Sequence, residues 1–241
     1  MRLDVLLLPR DATAESFAGR AVVVFDVLRA TTTMTAALAA GIKEIQVFGD
    51  VASVREAAAR ATGEPRPLLC GEVQALMPPG FDLGNSPGAL DPALHKGKTL
   101  FMSTTNGTRA IIAAREAKLL LIGALVNASA VARAVMASGP DVALLCAGTN
   151  GKAAVEDAIG AGAVIDAIGG EAAQLESDAA RMALRLFRGA RNDLRGAISE
   201  GAGGRNVIAA GLEQDIDFAA RLDRFDVVGR VEGSRVRVNS D

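Results

Sequence analysis

Short apolar runs recur along the first two-thirds of the chain, at residues 4–8, 21–27, 44–48, 67–70, 99–103, 119–123 and 141–146. Runs this short, without polar alternation, fit strands buried on both faces. Ala-rich segments with helical spacing stand between most of them, at residues 32–40, 51–61, 107–115, 130–138 and 154–168. Parallel strands need long crossovers, and these helices supply them. The alternation predicts an α/β fold of three αβα layers around a largely parallel or mixed sheet.

Past Gly169-Gly170 the pattern changes. Residues 171–221 read as several amphipathic helices, more heavily charged and broken by glycines at 189, 196 and 201–204. Two short strands, 226–231 and 235–238, flank Gly233-Ser234, a hairpin signal. No polar linker precedes this segment. Residues 171–241 are therefore expected to form a helical cover, ending in a hairpin, on a sheet core of 1–170 within one catalytic unit.

Composition narrows the function. The formal net charge is -2, and aromatics are 3% with no Trp or Tyr. A general nucleic-acid binder would carry a basic excess and stacking platforms, so nucleic acid is excluded as a partner. Cys70 and Cys146 each follow an apolar run and read as buried thiols in a reducing compartment. The stretch Met1 to Pro9 has Asp4 inside a short apolar run, too short for a signal sequence or a membrane span. These features predict a cytoplasmic protein with no membrane partner. The Ala-rich helices and near-neutral charge are compatible with packing into a homo-oligomer.

Four segments have the chemistry of a site. In Asp26-Val27-Leu28-Arg29-Ala30-Thr31-Thr32-Thr33 a strand runs into an acid, a base and three hydroxyls at the start of a helix. Helix N-termini attract anions, and Arg29 adds a fork suited to phosphate or sulfonate. Asp26 would repel an anion, so its place there makes sense as a cation ligand or a nucleophile. Ser103-Thr104-Thr105-Asn106-Gly107-Thr108-Arg109 repeats the arrangement of strand, Thr-rich turn and helix. Both turns are expected at one edge of a parallel sheet, where open α/β sheets bind ligands. Ordinary helix capping is the plainer reading of both. Glu72 leaves a strand end just before a Pro/Gly-rich loop, residues 78–87, and could reach the same edge. Glu156 and Asp157 follow Cys146-Ala147-Gly148 in the first turn of the next helix. They either complement its dipole or supply hard oxygen ligands for Mg²⁺.

Other patterns are weaker. Gly148 to Lys152 lacks the spacing of a phosphate-binding P-loop. Cys146 with Lys152 has the spacing of a cysteine-phosphatase loop, with Lys in place of Arg. Gly160-Ala161-Gly162 falls inside a helix. The lone His95 reads as a loop residue, which argues against a His triad or a His-rich zinc site.

Taken together, residues 26–33, Gly80-Phe81-Asp82-Leu83-Gly84-Asn85-Ser86-Pro87, Thr104-Thr105-Asn106-Gly107-Thr108, Cys146-Ala147-Gly148 with Glu156-Asp157, and Gly211-Leu212-Glu213-Gln214-Asp215-Ile216 resemble the 2-phosphosulfolactate phosphatases. The motifs stand in that family's order and span nearly the whole chain. The resemblance implies a Mg²⁺-dependent phosphatase converting 2-phospho-3-sulfolactate to 3-sulfolactate and phosphate, a step in coenzyme M biosynthesis. With the residue reading, it implies catalytic roles for Asp26, Arg29 and Glu72, and metal ligation by Asp26, Glu72, Glu156 and Asp157. A small anionic phosphorylated substrate would be bound by Thr31, Thr32, Asn85, Ser86, Thr104, Thr105, Asn106, Gly107, Thr108 and Gly148, with Arg109 as a further candidate. Asp26 as nucleophile and a metal-activated water with one acid as base both stay open. The competing readings are a phosphatase of another small phospho-acid, a Cys146 phosphatase and a non-catalytic anion-binding protein.

Overall fold

The structure is a computed structural model and describes residues 1–139, 141–170 and 173–239. Its strands are β1 (Arg2–Leu6), β2 (Ala21–Phe25), β3 (Glu44–Val47), β4 (Leu68–Gly71), β5 (Thr99–Ser103), β6 (Leu119–Gly123), β7 (Val142–Cys146), β8 (Gln174–Leu175), β9 (Gly229–Glu232) and β10 (Arg235–Val238). They form one sheet in the order β4-β5-β3-β10-β9-β6-β2-β7-β1-β8. Each of the seven apolar runs overlaps a strand. The two-residue β8, half-exposed, has no apolar run to announce it.

Helices cover both faces, giving the expected three layers. On one face Val22, Val24, Ile45, Leu100, Met102, Leu120 and Ile122 share a core with Ala30, Met34, Ala37 and Leu38 of helix Ala30–Ala39 and with Ile111 of helix Gly107–Ala113. On the other, Val23, Phe25, Leu121 and Leu144 pack with helices Ala128–Ser138, Val155–Ile168 and Asp178–Ala190. The last of these buries Ala180, Ala183, Leu184 and Phe187, one stripe at helical spacing. Leu184 and Phe187 each contribute roughly 1.5–3 kcal/mol by leaving water.

The C-terminal third departs from a simple cover. Glu171 and Ala172, expected to begin it, lie outside the described residues. Helices Asp178–Ala190, Leu194–Glu200, Ala202–Ala209 and Glu213–Ala219 do lie over the core. The hairpin, however, enters the middle of the sheet: β9 pairs with β6 and β10 with β3, all antiparallel. Arg235 and Arg237 reach Glu44 across that seam.

This insertion corrects the expectation of one shared parallel edge. Three antiparallel steps separate β6 from β3, so β3, β4 and β5 run opposite to β6, β2, β7 and β1. Five steps separate β2 from β5, about 24 Å in a flat sheet at ~4.8 Å per strand. The Thr-rich turns that follow these two strands nevertheless meet, since Asp26 accepts a hydrogen bond from the Gly107 N–H. The helices that open on these turns pack into one core on the same face of the sheet, and strand twist of roughly 20–25° per step helps the two strand ends converge.

Candidate active site

Asp26 directly follows β2 and is buried at the meeting of two helix N-termini. Its carboxylate accepts from Ala30 N at 3.2 Å and from the Gly107 N–H. The anion at these two helix starts is thus Asp26 itself, held by donors that favour its ionised form. Glycine at 107 permits the approach: a Cβ there would lie 2.6 Å from Asp26 Oδ2. Burial nevertheless dominates, and with the charges of Glu72 and Glu156 it raises the Asp26 pKa to about 7.

Three further acids crowd this point, and their hydrogen bonding separates them. Asp157 accepts from Val27 N at 2.8 Å and Gly148 N at 2.9 Å, tying the end of β2 to the loop after β7. Glu72 accepts from Thr105 N at 2.7 Å and Ala75 N at 2.8 Å. Glu156 differs. It is 1% exposed, and neither carboxylate oxygen has a hydrogen-bond partner. Burial raises its pKa and outweighs its own backbone N–H, the Thr149 hydroxyl, the Gly203 N–H and the charge of Arg205, all of which act to lower it. A side chain at Gly203 would overlap Glu156 Oε1. Asp157 is raised well above the usual carboxylate range by burial, then by the charges of Asp26 and Glu156.

Asp26, Arg29, Glu72, Asn85, Thr105 and Asn106 line a cavity of about 800 Å³. The turn at residues 73–76 also lines it, as does helix Ala202–Ala209, which brings Gly203 and Asn206. Thr149 and Asn150 close it from the loop after β7. Asn85 is buried, with an unpartnered Oδ1. Among the described residues no three His, Cys, Asp or Glu side chains converge as a preformed metal cage.

Several expected ligand groups are spent inside the fold. Thr31 Oγ1 donates to Asp26 O and Thr32 Oγ1 to Val27 O, and both residues are fully buried. Thr104 and Thr108 bond each other's backbone reciprocally. None of these four lines the cavity, and their hydroxyls are spent on nearby backbone groups. Gly148 supplies its amide to Asp157 and also lies off the wall. Arg109 is exposed and interacts with Asp50 instead. Arg29 does line the cavity, but its Nη1 is paired with Asp215 Oδ2 at 2.7 Å. Ser86 Oγ donates to the same oxygen at 2.8 Å.

Residue-by-residue reading missed Asp215, Gly203, Asn206 and the 73–76 turn. Only Asp215 carried a signal, lying in the Gly211–Ile216 block. Cys146 faces the core fully buried, and burial pushes its thiol well above the ordinary range, which removes the cysteine nucleophile. His95 ends a short helix, Pro92–His95, rather than a loop, and accepts from Asp91 N through Nδ1 at 2.9 Å.

The buried acids set a pH dependence. Unfolded, Asp26 ionises near 3.8; folded, near 7. Between those values the folded chain retains a proton that the unfolded chain has lost, so stability falls as pH rises and levels off above about 7. Glu156 and Asp157 shift in the same direction. Metal-free protein is expected to resist urea better at about pH 5.5 than at about pH 8, and Asp26→Asn to narrow the difference. Higher stability at the alkaline value would contradict this account.

A cavity lined by Asp26, Glu72 and Arg29, with the buried acids Glu156 and Asp157 close to Asp26, fits an α/β enzyme for a small polar substrate. The model of a family described as 2-phosphosulpholactate phosphatase matches residues 6–234, and the chain belongs to that family. Its relatives include a probable 2-phosphosulfolactate phosphatase of Carboxydothermus hydrogenoformans, 37% identical over 100% of this chain and 98% of that one. Proteins with the same description from Parasynechococcus marenigrum (40% identical, 92% of this chain and 90% of the relative) and Synechococcus sp. strain CC9605 (42%, 86% and 87%) are also similar. The enzyme class is accordingly that of phosphoric monoester hydrolases. No described helix is long and apolar enough to cross a membrane.

Proposed function

We propose that this protein hydrolyses 2-phospho-3-sulfolactate to 3-sulfolactate and phosphate with Mg²⁺ as cofactor. It would act as one cytoplasmic catalytic unit, at a step of coenzyme M biosynthesis. The observation that carries the reading is Glu156: two buried carboxylate oxygens without partners, beside Asp26 and behind the wall of the cavity. Such a group is costly to bury as an unpaired anion, and a hard cation relieves that cost. The donors fit Mg²⁺, which takes one or two carboxylates and leaves its remaining positions to water and phosphate oxygens. Glu156 and Asp26 would hold it, while Asp157 and Glu72, bonded to backbone amides through both oxygens, fix the loops around it. When bound, the cation supplies positive charge that offsets the substrate's phosphate and the charge developing on its oxygens.

The chain's own residues do the rest. Arg29 has five N–H groups, and its bonds to Asp215, Ser86 and Ala75 use three. The remaining two are donors for anionic substrate oxygens. Asn106, Asn150 and Asn206 add amide donors for a sulfonate or carboxylate. Asp26 also lines the cavity, and an oxygen of its carboxylate not taken by the cation suits a general base. It takes a proton from the attacking water as the new P–O bond forms. The ester P–O bond breaks, and the proton passes to the leaving alkoxide.

A panel of sulfonated and non-sulfonated phospho-acids tests the substrate. The highest kcat/KM is expected for phosphosulfolactate. Faster hydrolysis of a non-sulfonated phospho-acid would move the assignment to that substrate on the same site. Tight binding without phosphate release would instead identify an anion-binding protein.

A further inference from the structure

The turn at residues 73–76 forms one wall of the cavity without the usual means of holding its shape. Val73 and Leu76 pair through their backbones, and the residues between them, Gln74 and Ala75, have φ of 53° and 68°. Two-residue turns with positive φ favour Asn and Gly, because a Cβ is strained there. Little apolar burial compensates: Val73 is 53% exposed and Leu76 60%. What grips the turn is polar. Ala75 N donates to Glu72 Oε2, and Ala75 O accepts from Arg29 Nη2 at 2.6 Å. Arg29 is in turn oriented from its other side, where Nη1 meets Asp215 Oδ2 and, at 3.3 Å, Ser86 Oγ. Asp215 is 5% exposed and comes from helix Glu213–Ala219, far away in sequence.

We infer that Asp215 is a positioning residue for the reaction, acting through Arg29 to hold the 73–76 turn as a wall of the cavity. A guanidinium balanced and aimed by a buried carboxylate presents a fixed donor to Ala75 O, and its unused N–H groups keep one direction toward the substrate. Without Asp215 the guanidinium is an unpaired buried cation that must turn toward other acceptors, and the turn loses its outer grip. The role rests on the proposed reading only for the identity of the substrate; the clamp itself can be measured on substrate-free protein.

The test compares wild type, Asp215→Asn and Ser86→Ala by amide hydrogen exchange. Asp215→Asn is expected to speed exchange of a peptide covering residues 72–77 by about tenfold or more, with peptides from β2 and β7 unchanged. In phosphate-release assays KM rises about tenfold and kcat changes less. Adding Gln74→Asn with Ala75→Gly, a sequence that favours this turn by itself, is expected to restore both readouts in the Asp215→Asn background. A purely structural role for Asp215 would not be rescued from the turn. Unchanged exchange at 72–77 in Asp215→Asn, or failure of the turn substitutions to restore it, overturns the inference. If Asp215→Asn does not fold, Ser86→Ala decides, with faster exchange at 72–77 supporting the clamp and wild-type exchange overturning it. Wild-type protein that hydrolyses no phosphosulfolactate would sink the substrate assignment and leave the exchange result standing.

Discussion

Glu156→Gln is expected to make the metal-free protein more stable and the enzyme nearly inactive. The two effects have one cause. Both Glu156 oxygens are buried without partners, next to Asp26 and Asp157. Above the raised pKa this side chain is an anion whose burial outweighs the help of Thr149, Gly203 and Arg205. Replacing it by the neutral isostere removes that penalty, a gain of about 1–3 kcal/mol. The sign follows from linkage: a carboxylate whose pKa is raised on folding costs stability as pH rises. The gain is therefore largest near pH 8 and shrinks toward pH 5. Activity goes the other way, because a carboxamide gives up the charge that would hold the cation. A loss of at least about 100-fold in phosphate release is expected. Thermal denaturation with and without Mg²⁺ joins the two: Mg²⁺ stabilises wild type and has little effect on Glu156→Gln. A variant destabilised at pH 8, or one stabilised by Mg²⁺ as strongly as wild type, would be incompatible with Glu156 as a ligand.

Asp26→Asn is expected to fold and to lose activity by about a thousandfold, the scale of a positioned general base. The carboxylate accepts from two backbone N–H groups, Ala30 and Gly107. An Asn side chain can accept only one of them well, since its NH₂ end would face the other donor. Removal of a charge from a buried site offsets that loss, so the net stability change is small at neutral pH. The catalytic loss has no such offset, because Asn neither accepts the proton of water nor adds charge for a cation. The route has its own signature. Direct water attack inverts an isotopically chiral phosphoryl group, whereas an aspartyl-phosphate passing through Asp26 retains its configuration. Inversion is expected. Residual activity within about tenfold of wild type would remove Asp26 from the chemistry.

The architecture was legible because its signal is local. β2, Ala21–Phe25, is buried throughout and carries no polar alternation, and that pattern fits an interior strand between two neighbours. Gly233 at φ 63° marks the hairpin correctly, but the turn says nothing about which strands the hairpin joins. Its insertion between β3 and β6 depends on partners about 190 and 110 residues away, and no periodicity encodes such a separation. The site divides in the same way. Asp26, Glu72, Asn85, Thr105 and Asn106 follow strand ends or punctuate loops, where function concentrates, and they line the cavity. Thr31, Thr32, Thr104 and Thr108 carried the same local signal but bond the backbone instead, because a hydroxyl at a helix start bonds the nearest backbone group whether or not a ligand is present. Gly203 and Asn206 gave none. They sit in an ordinary-looking amphipathic helix and reach the site only because the C-terminal segment returns across the strand ends.

The most direct test of the cation-assisted phosphatase is phosphate release from 2-phospho-3-sulfolactate by protein stripped with EDTA, before and after Mg²⁺ is restored. The acid cluster predicts negligible release from the stripped protein and recovery on adding Mg²⁺. Full activity in EDTA, or no release with any divalent cation, would contradict it.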